Sequence, residues 1–360
     1  MTRQVGPNLS LSFKDLNGWS ADGQSAALAA FRRSCARILK LNPDAPLDTK
    51  TSAQANRAYG RAGDWAEACA AANHVAASDD AARIYFEAYF TPVYFGSATD
   101  NGLFTGYYEP EMDGALSQGG RYQTPVLAFP PEYAAMRAAG RPIPTRSQIE
   151  DAIVDGSLDA RRLALVWLAD PVDAFFLHVQ GSGRVRLADG RVMRLAFAAK
   201  NQRDYTSIGK VLIEKGAIPR DEVSMQTIRA WLAAHPAEVS SILRRNDSYI
   251  FFNALNSDIS LGPPGAEGVP LTPERSLAID RSLHPLGSLF WLETTAPVPH
   301  RDNVRPFRQL MVAQDTGTAI RGDQRGDVFW GPGADAAEIA GRMKQPGRLI
   351  ALLPRKLVRR

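Results

Sequence analysis

A chain of 360 residues, 45% hydrophobic and 22% charged, is long and apolar enough to bury a sizeable core and to form two or three domains. Its net charge of +4 is not gathered into clusters with interleaved aromatics, so no nucleic-acid partner is expected, and the densest basic run, Pro354 to Arg360, reads as a solvated tail. No stretch approaches the ~20 consecutive apolar residues of a membrane-spanning helix, and the first twenty residues lack the apolar centre of a signal peptide. This fits a cytosolic protein or a mature form whose export segment has been removed.

Residues 22 to about 91 are alanine-rich and periodic, broken by Asn42–Asp48, and predict helices. Leu28, Phe31, Cys35 and Ile38 share one helical face, and Trp65, Cys69 and Ala72 share another. The two cysteines have no metal-site spacing. They are either two separate buried thiols, a common state of free cysteine, or one disulfide clamping two helices, which requires an oxidising compartment.

From Tyr89 the texture becomes aromatic and glycine-punctuated, with a strand predicted over Phe104–Met112. Thr145 and Gln148 have capping-box spacing and predict a helix start. The apolar runs Leu163–Ala169 and Ala174–Gln180 suit strands. Alternation around Asp189-Gly190 predicts a hairpin, and helices then continue to Arg245, one starting near Ser224 and another after Pro236. From Asp247 to Pro354 short β runs return, separated by Gly and Pro, which suggests a small barrel rather than a parallel sheet. The predicted organisation is a helical segment (1–91) packing on the barrel domain, a first part of the barrel (92–112), an inserted α+β domain (113–246) and a second part of the barrel (247–360).

Asp315-Thr316-Gly317 is the tripeptide of aspartic proteases. Those enzymes need two carboxylates that share a proton, and this chain has one such tripeptide and nothing resembling a second half. Asp315 could equally cap a turn, with Gly317 supplying φ > 0. Asp327, twelve residues on, lies between the Arg321–Gly326 loop and the apolar run Val328–Gly331. A carboxyl beside Phe329 and Trp330 is expected to have a raised pKa, because desolvation disfavours its charge, and that suits a proton donor near neutral pH.

Thr105, Gly106, Tyr107 and Tyr108 lie on one predicted strand, whose alternation turns one tyrosine to the core and frees the other for a sugar ring. Core packing explains such a pair equally well. Gln180-Gly181-Ser182-Gly183 reads as a loop between strands that brings backbone N–H groups to a ligand. Without a following Lys-Ser/Thr or a helix it does not suit phosphate. Gln180 and Ser182 suit sugar hydroxyls or acetamides, and a plain tight hairpin is the alternative. His178 reads as a packed core histidine on the preceding strand. His74, His235, His284 and His300 have no metal-like spacing, so no metal site is expected.

Taken in order, "FTGYYEP", "HVQGSGRVRL", "YTSIGKVLIEKG", Gly262–Thr294 and "MVAQDTGTAIRGDQRGDVFWG" resemble the membrane-bound lytic transglycosylase A family over roughly residues 90 to 355. The resemblance implies a mixed β and α fold: a double-psi β-barrel domain with an inserted α+β domain and an N-terminal helical segment. It implies cleavage of the β-1,4 bond between N-acetylmuramic acid and N-acetylglucosamine in peptidoglycan, without water, the muramyl C6 hydroxyl attacking to form a 1,6-anhydro product. No cofactor is implied. The family's catalytic Asp maps onto Asp327, acting as general acid and then base. Its upstream Asp maps onto Asp315, which would orient Asp327 or stabilise oxocarbenium-like charge. Its groove threonine maps onto Thr105.

With Thr105, the expected substrate-binding set is Gly106, Tyr107, Tyr108, Gln180, Gly181, Ser182, Gly183, Tyr205 and Trp330. The expected partners are peptidoglycan glycan strands, met by a monomer in the periplasm. Many family members are exported lipoproteins, but no lipobox cysteine precedes this sequence, so association with the outer membrane is left open. Thr318 stands where members commonly have a second Gly, making the loop after Asp315 less free to take φ > 0. The rival reading is a non-catalytic glycan-binding protein using the same barrel, against which the presence of Asp327 counts.

Overall fold

A computed structural model describes residues 9–95, 102–256 and 258–358. In chain order its elements are β1 (Leu9–Ser10), α1 (Gln24–Ile38), α2 (Ala53–Tyr59), α3 (Ala62–Ala72), α4 (Asp79–Tyr89), β2 (Phe90–Tyr94), β3 (Gly102–Glu109), β4 (Glu111–Ala115) and β5 (Thr124–Leu127). There follow α5 (Pro131–Ala138), α6 (Arg146–Val154), α7 (Ala160–Leu163), β6 (Ala164–Leu168), α8 (Pro171–Gln180), β7 (Ser182–Leu187), β8 (Val192–Lys200), α9 (Ile208–Glu214), α10 (Met225–Ala234) and α11 (Val239–Leu243). The last are β9 (Ile250–Leu255), β10 (Ser276–Ile279), β11 (Leu289–Pro297), β12 (Val304–Thr316), β13 (Arg325–Pro332), α12 (Ala334–Arg342), β14 (Lys344–Pro354) and α13 (Arg355–Val358). They form two compact units: Met1–Tyr107 with Pro264–Gly331 and Met343–Arg360, and Tyr108–Pro263 with Pro332–Arg342.

In the first unit the broken alanine-rich pattern becomes four helices. Ser52 and Ser78 cap α2 and α4, accepting from backbone N–H groups that have no partner within the helix. The face of α1 carrying Leu28, Phe31, Cys35 and Ile38 is buried, and Phe31 packs against Trp65, Phe86 and Phe90. The open question about the cysteines resolves to a Cys35–Cys69 disulfide joining α1 to α3, with Cα atoms 5.0 Å apart. The helices are tied to the barrel strands by buried polar contacts. The Gln314 amide donates to the Ala30 carbonyl and the Ser34 hydroxyl, and Asp22 accepts from Arg275 and the Leu310 N–H.

The strands of this unit follow the order β1-β2-β14-β11-β12-β10-β13-β3, and β3 also pairs with β14. That second pairing closes six strands into the barrel implied by the resemblance and leaves β2 and β1 as an extension. The basic C-terminal run departs from the solvated tail expected. Arg355 donates to the Glu87 carbonyl and Lys356 to the Gly63 carbonyl, so neighbouring helix ends hold it down; Arg359 and Arg360 lie outside the described residues.

The second unit is a six-stranded sheet, β5-β6-β4-β7-β8-β9, with helices and three apolar clusters around it. The predicted capping box at Thr145 and Gln148 opens α6, Ser224 caps α10, and the Asp189-Gly190 turn joins β7 to β8 with Gly190 at φ 84°. Three expectations are corrected. Ala174–Gln180 is helix rather than strand, because Asp170 caps its start, Pro171 sits at the first turn and Gly181 ends it in the left-handed conformation. The predicted strand Phe104–Met112 is divided at Pro110, which has no N–H to donate. Ile250–Leu255, expected in the barrel, pairs with β8 in this sheet, so the return to the barrel unit falls at Pro264 rather than 247. No helix among the described residues is long and apolar enough to cross a membrane.

Candidate active site

Register, rather than sequence spacing, brings the two aspartates together. Ala278 on β10 is in register with Asp315 on the parallel strand β12 and with Asp327 on the antiparallel strand β13. Paired residues project from the same face of a sheet, so the two carboxylates flank a single small side chain, two strand spacings (about 10 Å) apart at the backbone. On the far side of β13, the Thr105 hydroxyl of β3 donates to Asp327. Across β3, Thr105 is in register with Lys344 of β14, a residue the sequence reading did not single out.

The Asp327 side chain is 21% exposed. Its Oδ1 accepts from Thr105 and from the Arg325 guanidinium, whose Nη2 also donates to the Thr105 Oγ1 at 2.9 Å. Oδ2 has no hydrogen bond among the described residues. Arg325 also escaped the sequence reading; its spacing of two from Asp327, which places both on one strand face, was the available signal.

The aromatic surroundings expected of Asp327 belong to its neighbours. The Phe329 ring lies against Tyr107, with centroids 5.2 Å apart. Trp330 points to the other face of the strand and is buried against Phe307, its indole N–H without an acceptor among the described residues. The Asp315 carboxyl has a raised pKa, chiefly through desolvation, with the nearby Asp327 charge adding to it. It sits beside the Tyr107 hydroxyl, whose own pKa burial pushes well above the ordinary value. The Asp315 Oδ1 accepts from the N–H groups of Ala266 and Thr316, each at 2.9 Å, so it does bind nearby backbone, but Gly317 is not among the glycines with positive φ that the turn reading expected. Thr318, in the place of the family's second Gly, is not among the residues with positive φ.

These contacts yield a first expected result. Asp315→Asn keeps an Oδ1 for both backbone donors and removes a charge that burial disfavours, so the variant should be as stable as the parent at neutral pH or more so. A carboxyl whose folded pKa is raised makes the folded state bind more protons, so its unfavourable contribution is present above the folded pKa and is relieved as pH falls toward the ordinary value of 3.8. Any stability advantage of Asp315→Asn should therefore shrink on acidification. Denaturant unfolding of both proteins at pH 7 and pH 4 measures it, and an advantage that grows on acidification would contradict this account.

The remaining predicted residues belong to the second unit, apart from Gly106, which sits between Thr105 and Tyr107 on β3. Tyr108 is buried, and its hydroxyl interacts with Arg229, so strand alternation does separate the two tyrosines. Gln180 is the last residue of α8, and its Oε1 accepts from the Tyr108 N–H. Gly181, at φ 76°, has open space where a Cβ would project. Gly183 has none: a Cβ there would lie 2.6 Å from Leu177. Ser182 is buried at the start of β7. Tyr205 is 38% exposed and interacts with Ser207 through its hydroxyl. His178 is on a helix rather than a strand, but is packed as expected, between Tyr249 and Phe252, with its Nδ1 3.0 Å from Arg146.

A closed six-stranded barrel with facing aspartates, interrupted by an α+β insertion, defines the class. The comparisons agree with it. Residues 103–253 match the model of the MltA specific insert domain, and residues 275–353 match the 3D domain. The membrane-bound lytic murein transglycosylase A of Escherichia coli is 36% identical over 260 residues, 70% of this chain and 66% of that protein's length. The crystal structure of a membrane-bound lytic murein transglycosylase from Agrobacterium tumefaciens superposes with a TM-score of 0.82 at 32% identity, over 98% of this chain and 99% of that one. The structure of E. coli MltA with bound chitohexaose superposes with a TM-score of 0.67 at 27% identity, covering 98% and 93%. The chain belongs to the membrane-bound lytic murein transglycosylase A family.

Proposed function

We propose that this protein is a lytic transglycosylase that cleaves peptidoglycan between N-acetylmuramic acid and N-acetylglucosamine, with Asp327 as its single proton-transferring group. The observation that carries the reading is the inequality of the two aspartates. Asp327 is gripped at Oδ1 by the Thr105 and Arg325 side chains, whereas Asp315 is held at Oδ1 by two backbone N–H groups and lies beside Tyr107. A glycoside hydrolase ordinarily uses both members of a carboxylate pair. A carboxyl held by side chains, beside a second one fixed in the backbone, suits a reaction in which the substrate brings its own nucleophile. Asp327, protonated, gives its proton to the glycosidic oxygen as the bond to muramyl C1 breaks. The carboxylate then takes the proton of the C6 hydroxyl as that oxygen attacks C1, which closes the 1,6-anhydro ring and restores the acid. Thr105 and Arg325 hold Oδ1, and Asp315 supplies negative charge across Ala278 from the developing oxocarbenium.

The named resemblance to murein transglycosylases and the chitohexaose bound to one relative support a β-1,4-linked glycan as the substrate. Tyr107, on β3 of the unit that carries Asp327, is the candidate to bind it. The Cys35–Cys69 disulfide supports the periplasm, an oxidising compartment, as the place of work. Every residue invoked comes from one chain, so a monomer suffices. Digestion of purified sacculi followed by mass spectrometry of the soluble products should show muropeptides ending in 1,6-anhydromuramic acid. Products with reducing ends would mean that water is the nucleophile.

A further inference from the structure

Asp327 follows a connection, Gly317–Gln324, that lies between β12 and β13 and belongs to neither strand. Three side chains anchor it: two from outside hold its backbone, and one of its own reaches out to neighbouring strands. Asp280 accepts from the Gly322 N–H at 2.9 Å. The Gln324 amide, itself in the connection, exchanges hydrogen bonds with both backbone groups of Leu349 and donates to the Phe95 carbonyl. The third anchor is His284, whose Nε2 lies 2.9 Å from the carbonyl oxygen of Asp323.

His284 differs from the other anchors in what stands behind it. Its Nδ1 lies 2.6 Å from the hydroxyl of Tyr59, the last residue of α2. Both rings are buried, at 3% and 1% exposure, and they meet edge to face. The partners dictate where the protons are. A backbone carbonyl can only accept, so Nε2 carries the hydrogen, and the Nδ1 of the neutral ring must accept from the Tyr59 O–H. Burial favours that neutral ring, lowering the His284 pKa. Tyr59 lies outside both matched domains.

We infer that Tyr59 and His284 are positioning residues for the catalytic acid. The Tyr59 hydroxyl fixes the tautomer, the imidazole holds the Asp323 carbonyl, and the start of β13 is thereby kept where Arg325 and Asp327 meet Thr105. The inference rests on the proposed role of Asp327. It gives the N-terminal helical segment a part in the site as well as in packing.

The test compares the full chain with its Tyr59→Phe, His284→Leu and His284→Gln variants. Two measurements are made: steady-state cleavage of soluble glycan strands, and hydrogen–deuterium exchange of the peptide covering residues 317–327. Loss of one hydrogen bond in Tyr59→Phe should lower kcat about 2–10-fold with KM unchanged. His284→Leu, which loses both, should lower kcat about 10–100-fold. Gln offers a donor and an acceptor at its tip, so His284→Gln should recover most of the rate. Adding Tyr59→Phe to His284→Leu should change nothing further. Exchange over 317–327 should quicken in Tyr59→Phe and His284→Leu, while that of β11 stays constant. A purely structural role would lower the melting temperature, leave kcat per folded molecule intact and fail to separate Gln from Leu.

Wild-type kcat in folded His284→Leu, or unchanged exchange over 317–327, would overturn the inference. A parent protein that releases nothing from sacculi would overturn the proposed function and with it the catalytic part of this inference; the exchange data would still decide whether the pair holds the connection.

Discussion

Asp327→Asn should slow release of soluble muropeptides by ~10⁴-fold or more while leaving glycan binding close to that of the parent. General acid–base catalysis is typically worth ~10²–10⁴-fold for one step, and here one group is asked to serve both the departure of the leaving oxygen and the attack of the C6 hydroxyl. The amide is nearly isosteric. Its Oδ1 can keep the contacts from Thr105 and Arg325, and only the unpartnered oxygen is replaced, by an N–H₂ group that neither gives nor takes a proton at useful pKa. The measurements are turnover of sacculi and affinity for an uncleaved glycan strand, made in parallel. Asp315→Asn, which leaves Asp327 untouched, should lose much less activity. Near-parental turnover by Asp327→Asn would move the acid elsewhere, with Asp315 the next candidate.

The second large effect concerns the disulfide. Cys35 and Cys69 are 34 residues apart in sequence, and closing a loop of that size constrains the unfolded chain by about 3–4 kcal/mol in the entropy model. Reduction, or replacement of both cysteines by serine, should lower the stability of the helical segment by about that amount. The buried face of α1 should remain paired with α3 at low denaturant, because Phe31, Trp65 and Phe90 still pack there. Denaturant unfolding with and without reductant measures the loss. Alkylation of unreduced, denatured protein from its native host should label neither cysteine, and two labelled thiols would refute oxidation in the cell.

Local signals were the ones legible along the chain. The capping box at Thr145, the helix start near Ser224, the Asp-Gly hairpin, the broken helical region and the return of β texture after an insertion each depend on a few neighbouring residues and a simple period. Where local signals conflicted, the reading failed. Ala174–Gln180 is apolar all round, so its period cannot distinguish a strand from a buried helix. Asp170, Pro171 and Gly181 were the residues that could have decided it. The strand character of Ile250–Leu255 was visible, but not the sheet it joins, since strand texture says nothing of a pairing partner.

The candidate site divides in the same way. Asp327, Asp315 and Thr105 could be named from motifs, because their residue types and order are properties of the chain. That Ala278 separates the two carboxylates, that Arg325 and Thr105 both grip the same oxygen of Asp327, and that Asp315 is held by the backbone of Ala266 and Thr316 could not be read there. Those facts follow from barrel closure, which brings β3 beside β13 across 222 residues of sequence. The sequence by itself determined which groups are available for chemistry and where helices start and stop. Tertiary structure decided which groups grip each carboxylate, because desolvation and hydrogen bonding act through neighbours in space and the register of a closed sheet chooses those neighbours.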